Sequence, residues 1–415
     1  MYDAIIIGGG VAGAASATLL ARRGLRVLVT DRTPLPAPAV STHFFGPTVL
    51  TALDELGLLD QVLATGAPPL RRWHLEVEDG YYGGPMLPRS AHPYNLCVRR
   101  ETLSGILLDA AVRAGAEVRE RCAVRTLLRD GDRVIGVAGA GWQEKSHVVI
   151  GADGRGSATA RQAGAETTFD AGALRCTFHA YWRGVAPLPA ASLELWHHDG
   201  SLVQLGPCDG GLWVVMLSAP VAGFAALRGT DRDGVSGYEH RLAAIPAMRT
   251  RLADAERMSP VFGSGTLRNF SRAPAGPGWR LAGDAYCHKD PLFGAGIADG
   301  FAAARVLADT VPGAVQGELP WAEAETRYAD ALDARVGARV RSGIEGLDLD
   351  RIRPEQRAWV RGVLAHPALA LELVQQCSEL FAALPPERRT FWQAVADSTA
   401  DLLDLPAPAR IDTPR

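Results

Sequence analysis

From Ala4 to Ala21 the chain runs eighteen residues without a charge. A membrane helix needs about 20 apolar residues in unbroken helical geometry. Here Gly8, Gly9 and Gly10 fall where such a helix would be one turn old, and glycine is a poor helix-interior residue. A buried strand that turns into a helix fits better. Residues 4–7 are apolar and rich in β-branched isoleucine, as a strand covered on both faces should be. Residues 11–23 then read as a helix, with Ala15 and Leu19 on one stripe and Gly24 as its stop. Residues 27–29 form a second buried strand that leads to Asp31 and Arg32.

Strand, GxGxxG, helix, strand and acid, in that order, predict a dinucleotide cradle. Gly8 makes the tight turn, Gly10 lets backbone approach a pyrophosphate, and Gly13 lets the helix pack on the strand. Val11 and Ala12 sit in the first helical turn, whose unpaired amides and partial positive charge suit a diphosphate. Asp31 is placed to accept hydrogen bonds from an adenosine ribose. A glycine-rich turn with no ligand is the plainer alternative.

A chain of 415 residues exceeds what one core usually serves, so two or three lobes are expected. The net charge of −3 gives no basic field and argues against nucleic acid as a partner. None of the six cysteines forms a CxxC pair, and Met1-Tyr2-Asp3 offers no basic start for a signal peptide. Both point to a cytoplasmic protein without a membrane span. The sequence sets no oligomeric state.

Two later segments repeat the design. Residues 148–157, VVIGADGRGS, run from a buried strand into a turn carrying Asp153. Residues 279–296 hold a strand, then Gly283-Asp284, then Pro291-Leu292-Phe293-Gly294-Ala295-Gly296. A helix follows from Ile297, with Phe301, Ala304 and Ala308 on the same face.

With these three segments the chain resembles the class A, p-hydroxybenzoate hydroxylase-like flavoprotein monooxygenases, which carry GxGxxG, a DG motif, and a GD motif followed by PxxGxG. The resemblance spans about residues 2–310. It implies a doubly wound α/β FAD-binding fold with an inserted antiparallel β substrate domain and a C-terminal helical region. The FAD-binding parts would be residues 1–69, 99–173 and 271–320, the substrate parts 70–98 and 174–270, and the helical region 321–415.

The resemblance also implies roles. Asp284 would bind the ribityl or pyrophosphate region of FAD. The loop from Pro291 through Gly294 to Gly296, and the helix from Ile297, would face the isoalloxazine. Asp153 would shape the approach of flavin and nicotinamide. Arg100 matches a basic residue that opens a helix beside the cofactor, with an ordinary surface arginine as the alternative. Val124 would offer backbone to the adenine. The family often has His where Cys287 stands and Gln where Ala295 stands. His288 is a candidate proton relay or a side chain that satisfies backbone groups. Phe293 has a motif position beside the flavin.

Between the second and third motifs, residues 193–197 alternate, Asp199-Gly200 signals a hairpin, and strands follow at 201–205 and 212–217. This predicts a sheet over the flavin, joined by strands from residues 70–98. His179, Trp182, Trp196, Gln204, Trp213 and Met216 are candidate lining residues on its strands, and Phe44 and Phe45 on loops. Alternation does not say which face is the pocket. His197 and His198 point to opposite faces, which argues against a shared metal ion. Helices are expected at 321–340, 354–364, 368–384 and 391–403, with a frayed tail from Leu405.

The implied activity is an FAD-dependent monooxygenase that uses NAD(P)H and O₂ on an aromatic or polyketide-like metabolite. A geranylgeranyl reductase-like enzyme is the alternative on the same scaffold, and a flavoprotein with structural FAD, acting as cyclase or binding partner, is a third. Flavin halogenases add WxWxIP and an early catalytic lysine. Residues 211–216, GLWVVM, have one Trp and no Ile-Pro, and Lys145 and Lys289 both come later. A halogenase is disfavoured on those grounds.

Overall fold

The computed structural model describes residues 1–37, 40–41, 43–77, 80–86, 91–228 and 235–343. The helices expected beyond residue 354 and the tail lie outside these.

The opening strand, Tyr2–Ile7, is the centre of a parallel sheet. On one side it pairs with Val27–Thr30, which pairs with Glu117–Arg119; on the other it pairs with Trp142–Gly151, which pairs with Trp279–Leu281. The chain winds outward in one direction and then returns to wind in the other. That reversal opens a crevice at the carboxyl ends of the strands. Ile5, Ile6, Leu28, Val29, Val149 and Ile150 are fully buried, which is why these strands read as continuous apolar runs. Thr126–Asp130 and Arg133–Gly139 extend Trp142–Gly151 as an antiparallel meander.

Helices Val11–Arg22, Arg100–Arg113 and Gly296–Val315 cover the sheet. Ala14, Ala15, Leu103, Leu107, Ile297, Phe301 and Ala304 share one core, while Leu20, Ala303, Leu307 and Val311 pack with the strands in another. Gly24 stops the first helix at φ +83°, a left-handed conformation natural to glycine. After Trp321–Leu332 the chain continues through a wider turn, Asp333–Gly337, into Ala338–Gly343.

A second sheet runs in the order Glu256–Arg257, Arg175–Arg183, Trp213–Pro220, Ser201–Pro207, Leu193–His198, Arg72–Val77, Gly80–Pro85, with Phe262–Ser264 also on Arg175–Arg183. It is antiparallel except where Leu193–His198 lies parallel to Arg72–Val77. Over a hundred residues separate those two strands, among them part of the parallel sheet and its helices, a connection long enough for parallel pairing.

The two faces of this sheet differ. Trp196, Val203, Leu217 and Phe178 lie across from one another and pack with Trp182 and Trp213 against helix residues Tyr238, Leu242 and Met248. One position along, the row Leu195, Gln204, Met216, His179, Phe262 occupies the opposite face. Tyr181, two residues from His179, shares that face and packs with Phe44, Leu70 and Cys97.

Candidate functional site

Three loops distant in sequence meet at the start of the first helix. A Cβ on Gly8, which stands at φ +108°, would lie 2.3 Å from the Ala152 carbonyl oxygen. A Cβ on Gly13 would lie 1.9 Å from the Gly8 carbonyl oxygen. Only glycine allows either approach. A Cβ on Gly283 would stand 2.8 Å from that of Ala12, and one on Gly300 3.3 Å from the Ala12 backbone. The turns that carry Asp153 and Asp284 therefore both border the GxGxxG loop. Strand-end hydrogen bonds fix them there: Ala152 N–H donates to Ile7 O at 2.8 Å and Ala282 N–H to Gly151 O at 2.9 Å.

Gly10 contrasts with its neighbours. A Cβ there would meet nothing within 4 Å. It caps the helix from extended backbone, and no side chain caps the helix amides. The helix Gly296–Val315 also begins without a side-chain cap, just after Gly294 at φ +63°. Two uncapped helix N-termini beside open space are anion seats.

Arg100 opens the helix Arg100–Arg113 and is 7% exposed. Its Nε and Nη1 have no hydrogen-bond partner among the described residues. Burial lowers its pKa, while Tyr181, Asp284 and Glu101 oppose the shift. A buried guanidinium with open donors is costly unless a polar or anionic group meets it. The surface-arginine alternative is thus set aside. Open space at Gly10, free helix ends and the orphaned Arg100 donors together fit a dinucleotide such as FAD.

The remaining motif residues fall as follows. Asp31 accepts from the Gly9 amide at 2.9 Å and, through its other oxygen, from the Thr33 amide and hydroxyl at 2.8 and 2.7 Å. It braces the glycine loop as well as ending the strand. Arg32 beside it is exposed. Cys122 N–H donates to Asp31 O at 2.7 Å, which brings the segment bearing Val124 alongside. The Asp153 carboxylate accepts from the Ser157 hydroxyl and from the Thr159 amide and hydroxyl, so it organises the turn. Asp284 is half-buried, and Pro291 opens a short turn that Asp290 caps through the Leu292 amide. Phe293 is buried.

His288 is buried, donates from Nδ1 to the Arg268 carbonyl at 2.5 Å and stacks on Phe270, so of its two expected roles it has the backbone-satisfying one. Other expected positions differ. Phe44 and Phe45 are not on a loop: they form a two-residue strand paired with Leu96–Cys97, and both are core. Of the six lining candidates, Trp182, Trp196 and Trp213 face the helical core, because alternation puts them on the other side of the sheet from His179, Gln204 and Met216.

Sequence reasoning named His179 but missed the buried polar cluster it joins on that second face. His43 is fully buried at φ +63°, a conformation uncommon outside glycine. Its Nε2 lies 2.8 Å from the Tyr181 hydroxyl, which lies 3.4 Å from Glu101 Oε2. The His179 ring stands 4.6 Å from the His43 ring and stacks on Phe262 at 5.2 Å. Burial holds His179 at about 4; burial, His179 and Arg100 hold His43 well below its ordinary 6.5. Burial pushes the Tyr181 hydroxyl above its ordinary 10. No motif in the sequence marks His43 or Tyr181, since the sites are 138 residues apart. Among the described residues, no group of three or more His, Cys, Asp or Glu side chains could hold a metal ion, and no helix is long and apolar enough to cross a membrane.

A doubly wound sheet with an anion seat at its switch point, faced by a second sheet, defines an α/β protein built to bind a dinucleotide. The FAD binding domain family matches residues 1–319, and the chain belongs to that family, in which the class A flavoprotein monooxygenases fall. It is 26% identical to a tryptophan 2-halogenase of Chondromyces crocatus over 92% of this chain and 74% of the relative. It is 27% identical to a rifampicin monooxygenase of Rhodococcus hoagii over 80% of this chain and 70% of the relative. The flavin-dependent brominase Bmp2 shares its fold, with a TM-score of 0.77 at 19% identity over 97% of this chain and 98% of the brominase.

Proposed function

We propose that this protein is an NAD(P)H-dependent FAD monooxygenase acting on an aromatic or polyketide-like metabolite. The observation that carries this reading is the convergence of three loops on one uncapped helix start, opposite a sheet face lined by His179, Gln204, Met216 and Phe262. FAD would supply the redox chemistry, passing two electrons from a reduced nicotinamide to O₂ so that one oxygen atom enters the substrate.

The chain's own residues do the rest. Gly8, Gly10, Val11, Ala12 and Gly13 seat the pyrophosphate; Asp31, Arg32 and Val124 border the adenosine end. Arg100 and Asp284 hold the middle of the cofactor. The amides after Gly294 and Gly296, with Ile297, stabilise negative charge on the ring. On the facing row His179 and Met216 are buried and would help to exclude water. One dinucleotide fold is present among the described residues, so NAD(P)H would bind transiently. The chemistry suits a cytoplasmic enzyme.

The likeness to a tryptophan 2-halogenase over 92% of this chain and 74% of that relative favours a second reading, halogenation. Against it, Lys145 lies on the meander, paired across from Gly136, and Lys289 is buried in an ion pair with Asp299. The decisive experiment supplies ¹⁸O₂, NADPH and bromide with aromatic and polyketide substrates and reads product mass. Incorporation of ¹⁸O supports the proposal; a brominated product supports the halogenase. Oxygen-independent loss of a double bond points to a reductase, and yellow protein that NADPH never bleaches points to structural FAD.

A further inference from the structure

Lys145 and Lys289 are the only lysines in the chain, and Lys289 is buried. Its Nζ pairs with the Asp299 carboxylate, and each side chain is 3% exposed. Lys289 follows the strand Cys287–His288, which is held by Arg268–Arg272. Asp299 stands in the first turn of the helix Gly296–Val315, where its amide donates to the Ala295 carbonyl at 2.9 Å. The ion pair is therefore a chord across the loop that carries Pro291, Phe293 and Gly294. Two further bonds brace that loop: the Asp290 amide donates to Asn269 Oδ1 at 2.8 Å, and the Leu292 amide to Asp290 Oδ1 at 3.0 Å.

Stability alone does not account for this pair. Two apolar side chains of similar volume would pack the same space without the cost of removing two charges from water. Its position supplies a better reason. A carboxylate in the first turn suits the helix dipole, but it opposes any negative charge that a ligand brings to the same helix end. A lysine beside it cancels that opposition.

We infer that Lys289 and Asp299 are positioning residues that form a charge-balanced floor under the flavin: they tie the two ends of the loop together, and their balance sets the midpoint potential of the bound cofactor. This rests on the reading that the loop from Pro291 to Gly296 faces the isoalloxazine, and not on what becomes of the substrate. Other charges border the pair. The Cys287 Sγ lies 4.0 Å from Lys289 Nζ. Burial pushes the Cys287 thiol up to about 11, with Lys289 and Arg341 opposing the rise and Asp299 and Asp284 adding to it, so the thiol is neutral at pH 7. Arg341 is taken up by Asp333 at 2.7 Å, and Asp333 also accepts from the Tyr286 hydroxyl at 2.9 Å. Loss of either member of the buried pair leaves one uncompensated charge in a setting of low dielectric, where it acts on a neighbouring ring more strongly than it would in water.

The test reads the two-electron midpoint potential of the FAD-loaded full chain against an indicator dye, without oxygen, substrate or NADPH. Wild type is compared with Lys289→Met, with Asp299→Asn and with the double variant Lys289→Met/Asp299→Leu. Lys289→Met is read at pH 9, which favours the charged form of a lone buried carboxylate, and Asp299→Asn at pH 6, which favours that of a lone buried ammonium. Lys289→Met should be harder to reduce by about tenfold in the ratio of reduced to oxidised flavin, a fall of about 30 mV. Asp299→Asn should be easier to reduce by about as much, and the double variant should stay within about threefold of wild type at both pH values. Shifts of opposite sign mark charge. A loop that is merely loosened would shed flavin, or move both single variants in one direction. Equal potentials in all four proteins, or shifts of the same sign, overturn the inference. If one single variant loses flavin, the sign of the other decides. If both do, the double variant decides: flavin restored at the wild-type potential supports the balance, and no flavin overturns it. A wild-type chain that takes up no FAD sinks the cofactor reading, whereas loaded variants at the wild-type potential sink this inference alone.

Discussion

Arg99 and Asp209 meet across the two lobes from positions 110 residues apart: the Arg99 amide donates to Asp209 Oδ1 at 2.7 Å, and its Nε donates to Oδ2 at 2.9 Å. The Thr102 hydroxyl adds a third bond to Oδ2 at 2.7 Å. Asp209 sits in the turn between two strands of the second sheet and is 2% exposed, while Arg99 and Thr102 flank Arg100 at the helix start. The clasp holds the sheet over the residues that bound the candidate site. Asp209→Ala leaves three donors without their acceptor and should cost roughly 2–3 kcal/mol, discounted because Arg99 is one-third exposed. A urea midpoint within error of wild type would show that the lobes are held by apolar packing alone.

Glycines of one motif should fail in different ways. Gly13→Ala forces a Cβ to within 1.9 Å of a backbone oxygen that cannot move without breaking the strand end. Loss on the order of 3 kcal/mol, or no soluble protein, is expected. Gly10→Val meets open space instead, so the fold should survive with near-wild-type circular dichroism while FAD is lost. A Gly10→Val protein that purifies with one flavin per chain would refute the seat.

Asp284→Ala should lower flavin retention without unfolding the chain, because its neighbour Gly283, not its carboxylate, makes the contact with Ala12. Removing the carboxylate also leaves Arg100 with less compensation for its burial. Flavin-to-protein absorbance after gel filtration checks this: the expected fall is tenfold or more in affinity, about 1.4 kcal/mol.

Acid should destabilise the protein in a defined window. His179 is 1% exposed and takes up its proton at about 4 in the folded state, against an ordinary 6.5. Its folded pKa is depressed, so the stability linked to neutral His179 is complete above pH 6.5 and is lost as pH falls from there to about 4. The full effect is about 3 kcal/mol. Urea midpoints at pH 7.5 and 5 should therefore diverge, and His179→Phe, which keeps a ring against Phe262, should narrow the gap. Equal gaps in the two proteins would remove His179 from the account.

The sequence determined the nucleotide lobe because its signals are local. Glycine spacing, β-branched runs and an acid at a strand end act within a few residues of one another, so Gly8–Gly13, Asp153 and Gly283–Gly296 were legible as turns behind buried strands. Their shared family followed from the order of the motifs. What tertiary structure alone decided is sidedness and meeting. Alternation along Arg175–Arg183 announces two faces, but only the helices packed on Phe178 and Trp182 fix which face is left for His179 and Tyr181. His43 and Tyr181, like Arg99 and Asp209, come together through the closure of one lobe on the other. A contact between residues more than a hundred positions apart depends on how whole elements pack, and no local pattern in the chain encodes it.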